Sequence, residues 1–146
     1  MSEFSLYYSL GLDHILDVNG YDHILFVIAL SSLYQLKQWR PVLVMVTSFT
    51  LGHSVTLALA TLKLITIDSA LVEFLIPVTI LITSISNLIA KGGKDKAGIN
   101  AIYAGVFGLI HGMGFSNYLR GLLGEEESIL LPLFAFNIGL EVGQII

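Results

Sequence analysis

Residues 41–62, PVLVMVTSFTLGHSVTLALATL, form an apolar run in which His53 is the one ionisable side chain. A helix that spans a membrane needs about 20 mostly apolar residues, and this run has that length. Pro41 suits the first turn of such a helix, because the N–H that proline lacks has no helical partner there. The run therefore predicts a transmembrane helix that carries an imidazole inside the hydrocarbon layer.

Four further runs of the same kind surround this one in the sequence. They lie at about residues 23–39, 68–90, 97–119 and 128–146. Residues 4–18 are apolar but short and are interrupted by Asp13, His14 and Asp17, which indicates an interfacial or re-entrant helix. We therefore expect an all-α integral membrane protein, with residues 1–146 as a single transmembrane domain of five spans. The last run reaches Ile146 without a cap, so we also expect a truncated chain whose full length could add a sixth helix.

The composition supports this class and excludes others. Hydrophobic residues make up 55% of the chain and charged residues 12%, with a mean hydropathy of +0.82. A soluble domain usually carries about 25% charged residues, so this chain has too few to cover a water-facing surface. The net charge of −4 and the lack of a basic patch argue against nucleic acid as a partner. The chain has no cysteine, which excludes disulfides, thiolate metal sites and a Cys nucleophile.

The basic residues indicate how the spans are oriented. If the N-terminus is on side A, side B receives Lys37, Arg40, Lys91, Lys94 and Lys96, and side A receives Lys63 and Arg120. The positive-inside rule then puts side B in the cytoplasm and the N-terminus outside, in the periplasm for a bacterial inner-membrane protein. Side A also holds most of the acids, namely Glu3, Asp13, Asp17, Asp22, Asp68 and Glu125 to Glu127. That surface would attract cations, although acidic outer loops are also an ordinary solubilising feature.

Ionisable side chains within the spans are the main functional signal. The candidate ligands are His23, His53, His111, Asp22, Glu73 and Glu141, with His14, Asn137 and Gln144 as weaker candidates. The rise of a helix places those within the runs at similar depths, in the half of the bilayer nearer side A. An ionisable group at such a depth costs roughly 2.5–3.5 kcal/mol, so its default interpretation is functional. Imidazole and carboxylate bind divalent transition metals, and the set therefore predicts a metal or proton site.

The neighbours of these residues fit such a site. Thr47, Thr50 and Ser54 lie at helical spacing around His53. A metal-binding His usually directs its second ring nitrogen to a partner of that kind. Glycines leave one side of the 97–119 run almost bare beside its His, which lets helices approach closely. In the last run Asn137, Glu141 and Gln144 form one polar stripe, which must face protein or water rather than lipid.

Each candidate also has an ordinary structural explanation. A lone buried His is often hydrogen-bonded between helices, Glu73 could be protonated in the membrane, and Asp22 could cap the helix that follows it. His14 could be solvated at the interface, and the two amides of the last run could hold helices together. The joint occurrence of these residues at similar depth is what favours a site.

A set of motifs resembles a known family over about residues 11–146. The motifs are Gly20–Phe26 (GYDHILF), Trp39–Pro41 (WRP), Phe49–Leu57 (FTLGHSVTL), Val72–Glu73, Gly108–Phe115 (GLIHGMGF) and Phe136–Gln144 (FNIGLEVGQ). With them the chain resembles the HupE/UreJ family of small membrane proteins, which are regarded as permeases for nickel or related metals. The resemblance implies that the six main candidates are the functional polar residues, and that nickel is the favoured ion over zinc, copper, iron or cobalt. The family motif also has a His a few residues before its Asp-His pair, and here seven residues separate His14 from Asp22.

Three functions remain open at this level. The first is transport of a divalent transition-metal cation from side A to side B. The second is an intramembrane metal-dependent hydrolase, in which a carboxylate would act as general base, although the chain has no His-Glu-x-x-His motif. The third is a structural or redox metal site that holds the bundle together. The expected partners are the metal ion and the lipid bilayer, and the sequence leaves a homo-oligomer or a partner protein open.

Overall fold

The computed structural model describes residues 2–35, 37–89, 97–123 and 128–146, except for the side chain of Ala97. Within these ranges the chain forms seven helices and no strand, which confirms the all-α prediction. The helices are α1 (Glu3–Leu16), α2 (Asp22–Ser31), α3 (Trp39–Thr61), α4 (Ser69–Ile89), α5 (Ala97–Gly114), α6 (Ser116–Leu123) and α7 (Leu130–Ile145). The basic residues at 91–96 and the acids at 125–127, which entered the prediction of orientation, lie outside the described ranges.

Two of these helices, α3 and α4, are long and apolar enough to cross a membrane. They coincide closely with the predicted spans 41–62 and 68–90. Helices α5 and α6 pass the same test only when taken together, and they are bent by 50° where they meet. The predicted span 97–119 therefore differs from the structure at its end, because its helix ends at Gly114 and a new helix begins at Ser116. Helix α7 is apolar but shorter, and it covers most of the predicted span 128–146.

Helix α2 differs most from its prediction. We expected a span over 23–39, but the helix ends at Ser31 and so reaches only about 15 Å at 1.5 Å per residue. The hydroxyls of Ser31 and Ser32 donate hydrogen bonds to the carbonyls of Val27 and Ala29, each at 2.8 Å. Beyond them the side chain of Gln38 accepts a hydrogen bond from the backbone amide of Gln35 at 3.0 Å, and a side chain that bonds backbone in this way competes with regular helix.

The predicted interfacial or re-entrant segment, residues 4–18, forms α1, which packs along α7. The glycines of this pair lie against backbone, since a Cβ added at Gly11 would be 2.0 Å from the Phe136 carbonyl oxygen. One added at Gly139 would be 2.1 Å from that of Tyr8. Gly143, further along α7, lies against Ile15, further along α1, so the two helices run parallel.

Helices α3 and α5 form a second parallel pair of the same kind. An added Cβ would be 2.1 Å from the Phe49 carbonyl oxygen at Gly108, and 2.2 Å from that of His53 at Gly112. The two pairs run in opposite directions. His53 lies near Phe136, whereas Thr47, nearer the start of α3, contacts Glu141, further along α7. The bundle therefore contains two pairs of helices, each with its backbones in contact.

Helix α2 begins level with the middle of α4. His23, in its first turn, lies beside His111 of α5, which contacts Thr79 at the middle of α4. At the other end of α2, the Asn87 side chain of α4 donates hydrogen bonds to the carbonyl of Ala29 and, at 3.0 Å, to the hydroxyl of Ser32. Helices α1 and α2 are thus two separate segments, and the break between them lies at the level of the histidines.

Candidate metal centre

The four histidines of the chain meet at the centre of the bundle. His14 comes from the end of α1, His23 from the start of α2, His53 from α3 and His111 from α5. The ring centroid of His23 lies 4.5 Å from that of His14, 6.1 Å from that of His53 and 5.2 Å from that of His111. The centroids of His14 and His53 are 5.9 Å apart. Residues that are far apart in the sequence thus form one imidazole cluster, which we call the histidine cluster.

Three members of the histidine cluster are placed to share one ion. His14, His23 and His53 can each offer a ring nitrogen such that the three atoms lie within 4.8 Å of one another. A metal at the centre of such a triangle needs nitrogens about 2.0–2.1 Å away, so a modest inward movement of the rings completes the site. No Asp or Glu joins these three imidazoles to form a larger group in the part of the chain that the structure describes.

His111 contacts a hydroxyl through one of its two ring nitrogens. The hydroxyl of Thr79 donates its one hydrogen to the Ile76 carbonyl at 2.7 Å, and its oxygen lies 3.2 Å from Nε2 of His111. When the hydroxyl donates to the carbonyl, its oxygen accepts from Nε2, and in that tautomer Nδ1 keeps its lone pair. Nδ1 is buried and has no partner among the described residues. This is the arrangement by which a second contact orients a metal-binding His.

The other histidines also carry buried nitrogens without partners. Both nitrogens of His53, which is 0% exposed, and Nε2 of His14 and of His23 have no hydrogen bond within the described ranges. A buried polar atom that is left unpaired costs about 1–3 kcal/mol. Several such atoms facing one centre indicate that the cluster is built for a partner that accepts lone pairs.

Aromatic side chains enclose the histidine cluster. Phe115 lies 4.1 Å from His14 between ring centroids, Phe26 and Phe49 each lie 5.2 Å from His111, and Phe136 lies 6.4 Å from His53. These rings make much of the surroundings of the cluster apolar, and electrostatic interactions are stronger in such surroundings. Burial, with a smaller effect of the nearby imidazoles, lowers the pKa of His14 to about 3, so this residue is neutral and able to bind a metal at neutral pH.

The structure separates the predicted ligands into groups. It brings His23, His53 and His111 together. His14, which was a weaker candidate in the sequence, lies in the same cluster. Asp22 precedes His23 at the start of α2 and is partly buried. Glu73 is exposed on α4, and the structure does not bring it to the histidines.

The polar residues of α7 form a group of their own with α3. Glu141 accepts a hydrogen bond from Thr47 at 2.5 Å, and Gln144 accepts one from Thr50 at 2.8 Å. Asn137, which shares this stripe, has a buried side-chain oxygen without a partner in the described structure. The three candidates therefore lie along the α3–α7 contact rather than in the His14, His23 and His53 triangle.

A hydroxyl partner was predicted for the imidazole of His53, but the structure has such a contact at His111 instead. Hydroxyls around His53 were predicted to bond its ring, but Thr50 donates to Gln144 and Ser54 donates to the Thr50 carbonyl at 2.6 Å. The hydroxyl that does orient an imidazole is that of Thr79, on a helix for which only Glu73 was considered. Its signal in the sequence is weak, because a threonine in an apolar helix commonly bonds its own backbone.

Comparison with protein families gives one result for the whole chain. Residues 1–146 match the family model described as HupE / UreJ protein. Searches of curated proteins and of solved structures gave no match. The match thus agrees with the resemblance seen in the sequence motifs.

Proposed function

The chain belongs to the HupE/UreJ family, and from this premise we propose that it carries a divalent transition-metal cation across a membrane through the histidine cluster. The observation that supports this most strongly is the convergence of His14, His23 and His53, whose nitrogens can lie within 4.8 Å of one another. Family membership and the apolar helices make it a membrane protein linked to metal transport in general. The site and the route are our proposal.

The donor set favours borderline metals over hard ones. Neutral imidazole suits nickel, cobalt, copper, zinc and iron, whereas magnesium and calcium prefer carboxylate, carbonyl and water oxygens. The resemblance to nickel permeases makes nickel the first ion to test. Cobalt and zinc serve as alternatives that the same nitrogens would accept.

Two features favour transport over hydrolysis. A hydrolase of the type considered above needs a carboxylate beside the metal-bound water, and the described acids do not join the imidazole triangle. The site also lies where α1 ends and α2 begins, and discontinuous helices of this kind form the ion sites of many transporters. The imidazole ligands are neutral, so they do not balance the charge of a divalent ion in apolar surroundings. This favours an ion that passes through the site over one that is stored there permanently.

A crevice of about 520 Å³ supplies an access route to the cluster. Asp13, His14 and Asp17 line it on one side, and Phe115 and Tyr118 line it on the other. The two carboxylates lie one helical turn apart on either side of His14 and would attract a cation to it. We place this crevice on the external side, in accordance with the orientation that the basic residues predict.

The test is metal uptake into proteoliposomes. Protein reconstituted in liposomes is exposed to Ni²⁺, Co²⁺ or Zn²⁺, and the metal inside is measured by elemental analysis. We expect uptake above that of empty liposomes, and a loss of at least about tenfold in His53→Ala, since even supporting residues of metal sites matter on that scale. Glu73→Gln, which removes an exposed acid outside the cluster, is the matched control and should transport like wild type.

Three outcomes would count against the proposal. Wild-type protein that accumulates no metal rejects transport, and unchanged uptake by His53→Ala rejects this site. A tightly held stoichiometric metal without flux, whose removal by a chelator lowers the melting temperature, would indicate a structural role instead. Melting curves of both variants check that they are folded.

A further inference from the structure

A line of polar side chains continues from the histidine cluster along the contact between α3 and α7. Thr50 lies one turn before His53 on α3, and Thr47 lies one turn before Thr50. Thr47 donates a hydrogen bond to Glu141 Oε1 at 2.5 Å, and Thr50 donates one to Gln144 Oε1 at 2.8 Å. Both contacts are buried or partly buried. A chain of oxygen atoms thus leads from the cluster towards the end of the bundle where α2 ends and α3 begins, here called the α2–α3 end.

This line contains acceptors that lack a donor. Glu141 Oε2 and Asn137 Oδ1 are both buried, and neither has a hydrogen-bond partner within the described ranges. They lie four residues apart on α7 and therefore share one face of the helix. Both are lone-pair oxygens, so neither can satisfy the other unless a hydrogen-bond donor or a cation comes between them. A cation is one species that satisfies both oxygens, and it also balances the charge of an ionised Glu141.

The line also reaches the surface. Gln144 lines a crevice of about 470 Å³ together with Ser31 and Gln35, at the α2–α3 end. Polar atoms are therefore available from His53, through Thr50 and the side chains of α7, to an opening on the far side of the histidine cluster. The sequence places this end on side B, the predicted cytoplasmic side.

On the basis of the proposed function, we propose that Glu141, with Asn137, Gln144 and Thr47, forms a second, oxygen-only cation site, through which the transported divalent ion leaves the histidine cluster towards the α2–α3 end. The two sites differ in ligand chemistry. Borderline metals bind imidazole nitrogen well and oxygen less well, so the ion moves to a weaker set of ligands as it leaves. The carboxylate of Glu141 compensates for that loss with a negative charge that the imidazole triangle does not supply.

A second polar crevice offers a competing route. It lies between α2, α4 and α5, has a volume of about 120 Å³, and is lined by Thr83, Asn87 and Asn100 among its polar residues. No charged residue lines it within the described structure. The amide of Asn87 is already used in bonds to α2, and the hydroxyl of Thr83 donates to the Thr79 carbonyl at 2.8 Å. This crevice thus has neither a charged side chain nor a buried oxygen without a partner among the described residues, unlike the α3–α7 line.

The experiment compares binding with transport in matched variants. Glu141→Gln keeps the size of the side chain and removes its charge, and Thr50→Val replaces the buried hydroxyl with a methyl group. Thr83→Val is the control, because Thr83 and Thr50 are equally buried, at 7% exposure. Ni²⁺ binding is measured by equilibrium dialysis of purified protein in detergent, and Ni²⁺ uptake is measured in proteoliposomes.

We expect Glu141→Gln to bind Ni²⁺ at the histidine cluster with wild-type affinity but to lose about tenfold or more in uptake rate, the scale seen for residues that support metal sites. Thr50→Val should show the same separation with a smaller loss, and Thr83→Val should match wild type in both assays. If Glu141→Gln does not fold, as judged by its melting curve, Thr50→Val carries the test.

Each alternative result has a distinct meaning. Wild-type uptake by Glu141→Gln and Thr50→Val overturns the second site and leaves the proposed function intact. Loss of Ni²⁺ binding in Glu141→Gln also overturns it, because Glu141 would then belong to the first site. If Thr83→Val is the one variant that loses uptake, the ion instead passes through the crevice between α2, α4 and α5. Wild-type protein without uptake rejects the proposed function itself, and the second site with it.

Discussion

The α3–α5 pair and the α1–α7 pair are built in the same way but differ in what they contribute. In each pair the helices run parallel, and glycines place one backbone against the carbonyls of the other. The α3–α5 pair includes a helix long enough to span a membrane and supplies His53 and His111. The α1–α7 pair is shorter and supplies His14 and the carboxylate of Glu141. One pair is thus a scaffold with two imidazoles, and the other brings a third imidazole and a charge.

The contact between the two pairs is of a different kind. It consists of side chains, among them His14 at 5.9 Å from His53 and the hydrogen bond from Thr47 to Glu141. Backbones held together by glycine leave little freedom within a pair, whereas side chains can exchange partners. Both candidate cation sites therefore include side chains from the contact between the two pairs. Movement of one pair against the other would change the sites while leaving the pairs intact.

The largest expected effect comes from breaking the α3–α5 pair with Gly108→Ala. The new Cβ would lie 2.1 Å from the Phe49 carbonyl oxygen and 3.0 Å from the His53 amide nitrogen, so backbone must move. We expect a loss of about 3 kcal/mol or more, at the upper end for overpacked sites, because the central scaffold is disturbed. The measurement is the melting temperature in detergent, together with the yield of folded protein.

The control for Gly108→Ala is the same substitution where there is room for it. Nothing lies within 4 Å of a Cβ added at Gly98 or Gly121, which are both helical. Alanine is favoured over glycine in helices by roughly 0.5–1 kcal/mol, so these two variants should be as stable as wild type or slightly more so. Equal melting temperatures for Gly108→Ala and Gly121→Ala would show that the backbones of α3 and α5 are not in contact.

Gly139→Ala tests the α1–α7 pair and should have a smaller effect on stability. Its Cβ would lie 2.1 Å from the Tyr8 carbonyl oxygen, so α1 has to move away from α7. We expect a loss of about 1–3 kcal/mol that is confined to α1, because the α3–α5 pair does not depend on it. Ni²⁺ affinity should fall by about tenfold, as it should in His14→Ala, because both changes remove the same imidazole.

Two measurements distinguish this result from general damage. Hydrogen exchange should increase in α1 and stay unchanged in α3 and α5. The double variant Gly139→Ala/His14→Ala should bind Ni²⁺ no more weakly than His14→Ala alone. If the losses of Ni²⁺ affinity in the two single variants add in the double variant, then α7 affects the site by some means other than the position of His14.

The sequence was sufficient for the features that depend on local composition. The long helix around His53 follows from its hydropathy, and the bare face of α5 predicted the close approach that Gly108 and Gly112 make to α3. The polar stripe of α7 was predicted from helical spacing, and Glu141 and Gln144 do contact the same neighbouring helix. Periodicity within one helix determines these features, so a single sequence reveals them.

Other features depend on how helices are rotated and paired, which helical rise does not give. Depth alone placed Glu73 beside the histidines, yet it is exposed while the adjacent Val72 is buried at 2% exposure. His14 was a weaker candidate, because the short helix around it was expected at the interface, whereas its actual position depends on the contact of α1 with α7. Tertiary contacts determined each of these outcomes.

Gly143→Ala should have the smallest effect, and it tests which feature of the α1–α7 pair matters. Gly143 lies one turn beyond Gly139, but its added Cβ would meet the side chains of Ile15, at 3.0 Å, and Leu12, at 3.4 Å, rather than backbone. Side chains can shift by a few tenths of an ångström, and the helical preference for alanine offsets part of that cost, so we expect a change within about 1 kcal/mol. Ni²⁺ affinity should stay at the wild-type value. If Gly143→Ala instead reduces stability and Ni²⁺ affinity as much as Gly139→Ala, then the whole small-residue face of α7 positions α1, and the contact between the backbones of Gly139 and Tyr8 has no special role.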